Sequence, residues 1–94
     1  MVRYLEKDFD LETRNGKVLV DFYADWCGPC RMMGSILDTL DGIDVLKVNV
    51  DKFGEVAQRF GVMSIPTLFL MENGQVIKSN VGLMSAQELK DFVK

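Results

Sequence analysis

Val18-Leu19-Val20-Asp21-Phe22-Tyr23 runs through Ala24-Asp25 into Trp26-Cys27-Gly28-Pro29-Cys30, and this junction decides the architecture. The first six residues are β-branched or aromatic on both faces of a period-two pattern. That is the mark of a central parallel strand covered by helices on each side. A helix is predicted next, from about Pro29 to Leu40, with Met32, Met33, Ile36, Leu37 and Leu40 at helical spacing. Pro29 suits the first helical turn because its missing N–H is not needed there. Gly28 lets the backbone turn tightly and leaves room for a partner chain. Both cysteines thus fall on the first turn of a helix, where free N–H groups and the helix dipole favour a thiolate over a thiol.

Three chemistries compete for this pair. A zinc or iron site needs about four ligands, but the chain has 2 cysteines and 0 histidines, so a metal would require bridging chains or carboxylates. A purely structural cross-link would close a ring of about four residues, worth roughly 2 kcal/mol against ~3 for a fifteen-residue loop, and is a poor staple. A reversible redox couple has neither difficulty, and in a reducing cytosol such a pair turns over rather than staying oxidised. No metal site is expected.

Outward from the junction, Gly and Pro occur singly at element boundaries, with no repeat, linker or low-complexity segment. The 94 residues read as a single domain spanning 1–94, long enough to bury one core. Val2 to Leu5 is a short strand, and Lys7 to about Thr13 a short helix held by Phe9 and Leu11 and closed by Asn15-Gly16. Val45 to Val50 is a second buried strand, and Phe53 to Phe60 a helix stopped by Gly61. Thr67 to Met71 and Gln75 to Val81, joined by Asn73-Gly74, form an antiparallel hairpin. Ser85-Ala86-Gln87-Glu88 is a capping box that starts a last helix with Leu89, Phe92 and Val93 inward. The order β-α-β-α-β-α-β-β-α gives an α/β fold: a central mixed β-sheet with helices on both faces.

A net charge of −3 with scattered Lys and Arg argues against a nucleic-acid surface. The first eight residues are too charged for the apolar part of a signal peptide, and no run approaches roughly eighteen apolar residues. A monomer acting in the cytoplasm, away from membranes, is expected.

Four separated features together resemble the thioredoxin family: Val20-Asp21-Phe22, Trp26-Cys27-Gly28-Pro29-Cys30, Ser64-Ile65-Pro66-Thr67, and Asn73-Gly74 leading to Val81-Gly82. The resemblance covers almost the whole chain and implies the thioredoxin fold. The Gly-Pro pair between the cysteines is similar to that of reducing members. Some positions depart: Ser35 stands where the family usually places a helix-kinking proline, leaving Gly34-Ser35 as the place for a bend, and Tyr23 where a second tryptophan is common. The N-terminal segment and the connection near Asp41-Gly42 look shorter than usual.

Cys27, outermost on the turn, is the expected nucleophile, and Cys30, one helical turn further in, the resolving thiol. Acidity alone accelerates this exchange weakly, because a more acidic thiol is also a poorer nucleophile. Positioning and proton management must then supply most of the rate. Asp21 is the first candidate, an ionisable group among buried neighbours unless the strand is an exposed edge. By resemblance it accepts the Cys30 proton, directly or through a water. Lys47, on the next strand, could partner Asp21 or snorkel to solvent. Pro66 could be an ordinary trans proline opening a strand. The resemblance instead implies a cis bond facing the sulfurs, with the Ile65 backbone free to pair with an extended substrate. Trp26, Gly28, Pro29, Met63, Ser64, Ile65, Val81, Gly82 and Leu83 would surround the sulfurs with a largely uncharged docking patch.

The resemblance implies a protein-disulfide reductase maintaining redox homeostasis, with disulfide-containing clients and a thioredoxin reductase as partners. The chain carries no nucleotide- or flavin-binding fingerprint, so it would need no cofactor of its own and take electrons from that NADPH-dependent flavoprotein. A disulfide oxidase or isomerase, and a non-enzymatic binding module that uses the patch with the sulfurs incidental, are the alternatives.

Overall fold

In the computed structural model, which describes residues Met1–Lys94, the elements are β1 (Val2–Tyr4), α1 (Phe9–Thr13), β2 (Lys17–Tyr23), α2 (Gly28–Leu37), β3 (Asp44–Asn49), α3 (Gly54–Arg59), β4 (Thr67–Glu72), β5 (Gln75–Val81) and α4 (Ala86–Phe92). The expected element order is reproduced. The strands form one sheet in the order β1-β3-β2-β4-β5. β2 is central but parallel to β3 only; on its other side it pairs antiparallel with β4. Its apolar run, broken only by Asp21 after Lys17, reports burial on both faces rather than parallel neighbours on both sides.

Alternation along β2 divides the core. Val18, Val20 and Phe22 join Phe9, Leu46, Val48, Ala57 and Phe69 in a layer under α1 and α3. Leu19 joins Met33, Leu37, Val45, Leu68 and Leu89 in a layer under α2 and α4. Asp21 and Tyr23, two and four residues beyond Leu19, therefore face the α2 side.

Expectations for two of the helices need correction. Leu11 does not anchor α1: it is 52% exposed, while Thr13 is buried and its Oγ1 donates to the Phe9 carbonyl at 3.0 Å. A five-residue helix has one inward row, and the i, i+4 pair Phe9 and Thr13 occupies it. The helix also begins later than Lys7, because Asp8 caps it by accepting from Leu11 N at 3.1 Å. α2 stops at Leu37 rather than Leu40, since Thr39 N and Leu40 N bond to Ile36 O and Leu37 O in a tightened final turn. It runs unbroken through Gly34-Ser35, with Ser35 Oγ donating to Arg31 O at 3.4 Å.

The β4–β5 hairpin turns on Asn73 and Gly74, at φ 50 and 82, the left-handed pair that a two-residue hairpin requires. A bulge between Leu70 and Met71 shifts the register along β5, an exposed edge strand. At α4 the capping box is complete: Glu88 N donates to Ser85 Oγ at 3.1 Å, and Ser85 N donates to Glu88 Oε1 at 3.0 Å. Ser85→Ala should cost about 1 kcal/mol, seen as a melting temperature lower by roughly 4–8 °C. An unchanged melting curve would mean that the packing of Leu89 alone holds the helix.

Candidate functional site

Three chain segments meet at one end of the sheet: the β2–α2 junction, the Ser64–Pro66 turn before β4, and Val81-Gly82 at the end of β5. Cys27 does not enter α2 but caps it, with extended backbone (φ −92, ψ 110), while Cys30 lies inside the helix. The two form a disulfide, with Cα atoms 5.2 Å apart. Cys30 N donates to Cys27 Sγ at 3.2 Å, so a backbone dipole points at this sulfur where an N-cap oxygen usually sits. The exposure contrast between the cysteines is in the expected direction but small, 5% for Cys27 and 2% for Cys30. Surroundings separate them better: Cys27 Sγ meets the Ile65 carbonyl, while Cys30 borders a cleft shared with Tyr4, Tyr23 and Lys47.

Cys27 Sγ lies 3.8 Å from the Ile65 carbonyl oxygen. A disulfide sulfur has no proton to donate, so this is a contact that becomes a hydrogen bond only on reduction to a thiol. The Ile65–Pro66 bond is cis, as the resemblance implied. Thr67 Oγ1 donates to Ser64 O at 2.6 Å and Gly82 N to Pro66 O at 2.8 Å, pinning the turn from both sides. Neither the N–H nor the carbonyl of Ile65 takes part in a backbone hydrogen bond.

Asp21 is 0% exposed, and neither carboxylate oxygen has a hydrogen-bond partner. Its one charged neighbour is Lys47, whose Nζ lies 3.4 Å from Oδ2 with a side chain 11% exposed. The contact is an ion pair without hydrogen-bond alignment. Burial raises the Asp21 pKa from 3.8 to about 6, and the Lys47 charge opposes that rise. Lys47 is therefore drawn inward rather than snorkelling. The edge-strand possibility for Asp21 is removed.

Around the sulfurs, Trp26 is 70% exposed, Met63 94%, Val81 68% and Leu83 45%. Gly28, Ile65 and Gly82 are half-buried, Pro29 and Ser64 exposed, and Pro66 buried. One contact was not foreseen: Trp26 Nε1 donates to Asp51 Oδ2 at 2.9 Å, which fixes the exposed indole beside Cys27. Asp51 is held in turn by its N–H donating to Asn49 Oδ1 at 2.9 Å. An Asn-Val-Asp turn after a strand was the available signal, but nothing in it names Trp26 as the partner.

Among known proteins, the family model described as Thioredoxin matches residues 1–94. The chain is 39% identical to a thioredoxin of Bacillus subtilis over 99% of its own length and 94% of that protein. It is also 39% identical to a thioredoxin of Listeria monocytogenes, covering 90% of this chain and 87% of the other. Among solved structures, a mutant thioredoxin from Halobacterium salinarum superposes with a TM-score of 0.88 at 37% identity, over 98% of this chain and 87% of that one.

Proposed function

This chain belongs to the thioredoxin family, and from that membership we propose the route by which, as a thiol–disulfide oxidoreductase, it reduces protein disulfides. The observation that carries the reading is the Cys27–Cys30 disulfide at the start of α2, with Cys27 against Ile65.

In the reduced protein the Cys27 thiolate, favoured by the Cys30 N–H and the helix dipole, attacks one sulfur of a client disulfide. A mixed disulfide forms and one client thiolate leaves. Cys30 then gives its proton to Asp21 and attacks Cys27, releasing the second client thiolate and closing the internal disulfide. Two electrons pass from the protein to the client. A carboxyl with a pKa near 6 suits a base working at neutral pH. The ion pair with Lys47 steadies the charged form of Asp21.

Client recognition falls to backbone and to apolar side chains. An extended client strand can pair with the free N–H and carbonyl of Ile65, while Trp26, Met63 and Val81 cover the flanks. Main-chain pairing gives affinity with little sequence preference, which suits a broad reductase. The protein would act as a monomer in the cytoplasm, serving redox homeostasis and electron transport. It would be recharged by an NADPH-dependent flavoprotein, a thioredoxin reductase. No helix is long and apolar enough to cross a membrane.

With excess dithiol and a two-chain polypeptide joined by cystines, catalytic amounts of the protein should speed separation of the chains well beyond dithiol alone. Equal rates with and without the protein would refute the reading. A markedly oxidising reduction potential would instead identify an oxidase or isomerase.

A further inference from the structure

Lys47 ends against two aromatic rings as well as a carboxylate. Its Nζ lies 4.8 Å from the Tyr23 ring centroid and 5.7 Å from that of Tyr4. Both are within the ~6 Å over which an ammonium is attracted to an aromatic face. The rings meet edge to face, centroids 6.0 Å apart at 74°. Sheet register produces the arrangement: Tyr4 pairs with Lys47 across β1 and β3, and Lys47 pairs with Asp21 across β3 and β2. Tyr23 follows two residues after Asp21, on the same face.

The fourth wall comes from α2. A Cβ built on Gly34 would lie 3.2 Å from Lys47 Nζ, so the missing side chain is the room that the ammonium uses. Glycine is a poor helix former, and Gly34 stands inside α2 at a right-handed position, where the helix itself has no need of it. A cleft of about 200 Å³, lined by Tyr4, Tyr23, Arg31 and Lys47 among others, joins this cluster to Cys30.

We propose that Tyr4, Tyr23 and Gly34 form a cage that holds the Lys47 ammonium against Asp21, making the two tyrosines positioning residues for the proton that leaves Cys30. The proposal rests on the reading of Asp21 as that proton's acceptor. The carboxylate and the ring faces stand in for the water that the largely buried Lys47 ammonium has lost. The charged and titratable groups facing it are Asp21 and Tyr23 from β2, Tyr4 from β1, and Asp25 and Arg31 at the cleft wall. The Tyr23 phenol is itself pushed up by burial and stays neutral through the range tested.

The test is to follow the Asp21 side-chain carboxyl carbon by NMR against pH in the oxidised protein, which isolates the cage from turnover. Tyr4 is 59% exposed on an edge strand, so its replacement leaves the core intact. Tyr4→Leu should raise the Asp21 midpoint by about half a pH unit, roughly threefold in proton affinity. Tyr4→Phe, which keeps the ring, should retain the parent midpoint, and Gly34→Ala should raise it by displacing the ammonium. Unmoved midpoints in both Tyr4→Leu and Gly34→Ala overturn the cage, as does a Tyr4→Phe shift equal to that of Tyr4→Leu. A midpoint that moves while resolution by Cys30 keeps its rate overturns the positioning role and removes Asp21 from proton transfer, leaving the electrostatic clamp alone.

Discussion

Cys30→Ser should stop turnover at a covalent adduct between Cys27 and the client, with steady-state reduction falling by about a thousandfold or more. The magnitude follows from proximity. The two Cα atoms are 5.2 Å apart and Cys30 is held inside α2, so its attack on the mixed disulfide is intramolecular. Well-oriented intramolecular reactions reach effective molarities of about 10⁵ M and above. Even a geometry a thousandfold poorer outruns about 1 mM external dithiol by roughly five orders of magnitude. Intact mass spectrometry of the variant mixed with an oxidised client should show one client per protein, released by added dithiol. Cys27→Ser should form no adduct under the same conditions, because Cys30 lies inside α2, whereas Cys27 at the N-cap is the sulfur that meets the Ile65 carbonyl where a client would dock. Adducts that form equally well on Cys30 in the Cys27→Ser protein would reverse the assigned roles.

That assignment was within reach of the sequence because it depends on local order: a strand, a turn, two cysteines three residues apart, a helix. The burial of Asp21 was legible for the same reason, since its apolar neighbours in β2 leave a charged residue nowhere exposed to point. Leu11 was misplaced because a five-residue helix offers too few positions for periodicity to choose its inward row. The end of α2 was overrun because Leu40 keeps helical spacing through a turn that backbone hydrogen bonding, not side-chain pattern, distinguishes from helix. Long-range contacts were the least visible. Asp51 meets Trp26 across 25 residues of chain. Tyr4 meets Lys47 only because β1 lies beside β3 rather than β2, a matter of strand order that no local pattern specifies.

Asp21→Asn should make the protein more stable and slower, and the pH dependence of the stability difference identifies the cause. The carboxyl pKa rises on folding from 3.8 to about 6, chiefly because burial penalises its charged form. Well below pH 3.8 the group is protonated in both states and contributes nothing. Between about 4 and 6 the unfolded chain ionises while the folded one keeps its proton, so stability falls as pH rises. Above about 6 the loss levels off at about 3 kcal/mol, two pKa units at ~1.4 kcal/mol each. Asparagine cannot ionise and escapes this loss. Urea unfolding of the oxidised proteins should therefore show the Asn variant's relative stability growing by about 3 kcal/mol between pH 3.5 and 7.5. Its absolute offset is reduced by the stranded Lys47 charge and a buried amide lacking partners, which is why the change with pH, rather than the value at one pH, is the measurement. Parallel pH curves for the two proteins would show that the buried carboxyl does not titrate in this range. The same substitution removes the proton acceptor for Cys30, so stopped-flow kinetics at pH 7 should show resolution slowed by roughly 10²-fold, with the first attack by Cys27 little changed. Equal slowing of both steps would trace the loss to altered packing around the sulfurs, because only the second step requires a proton to leave Cys30.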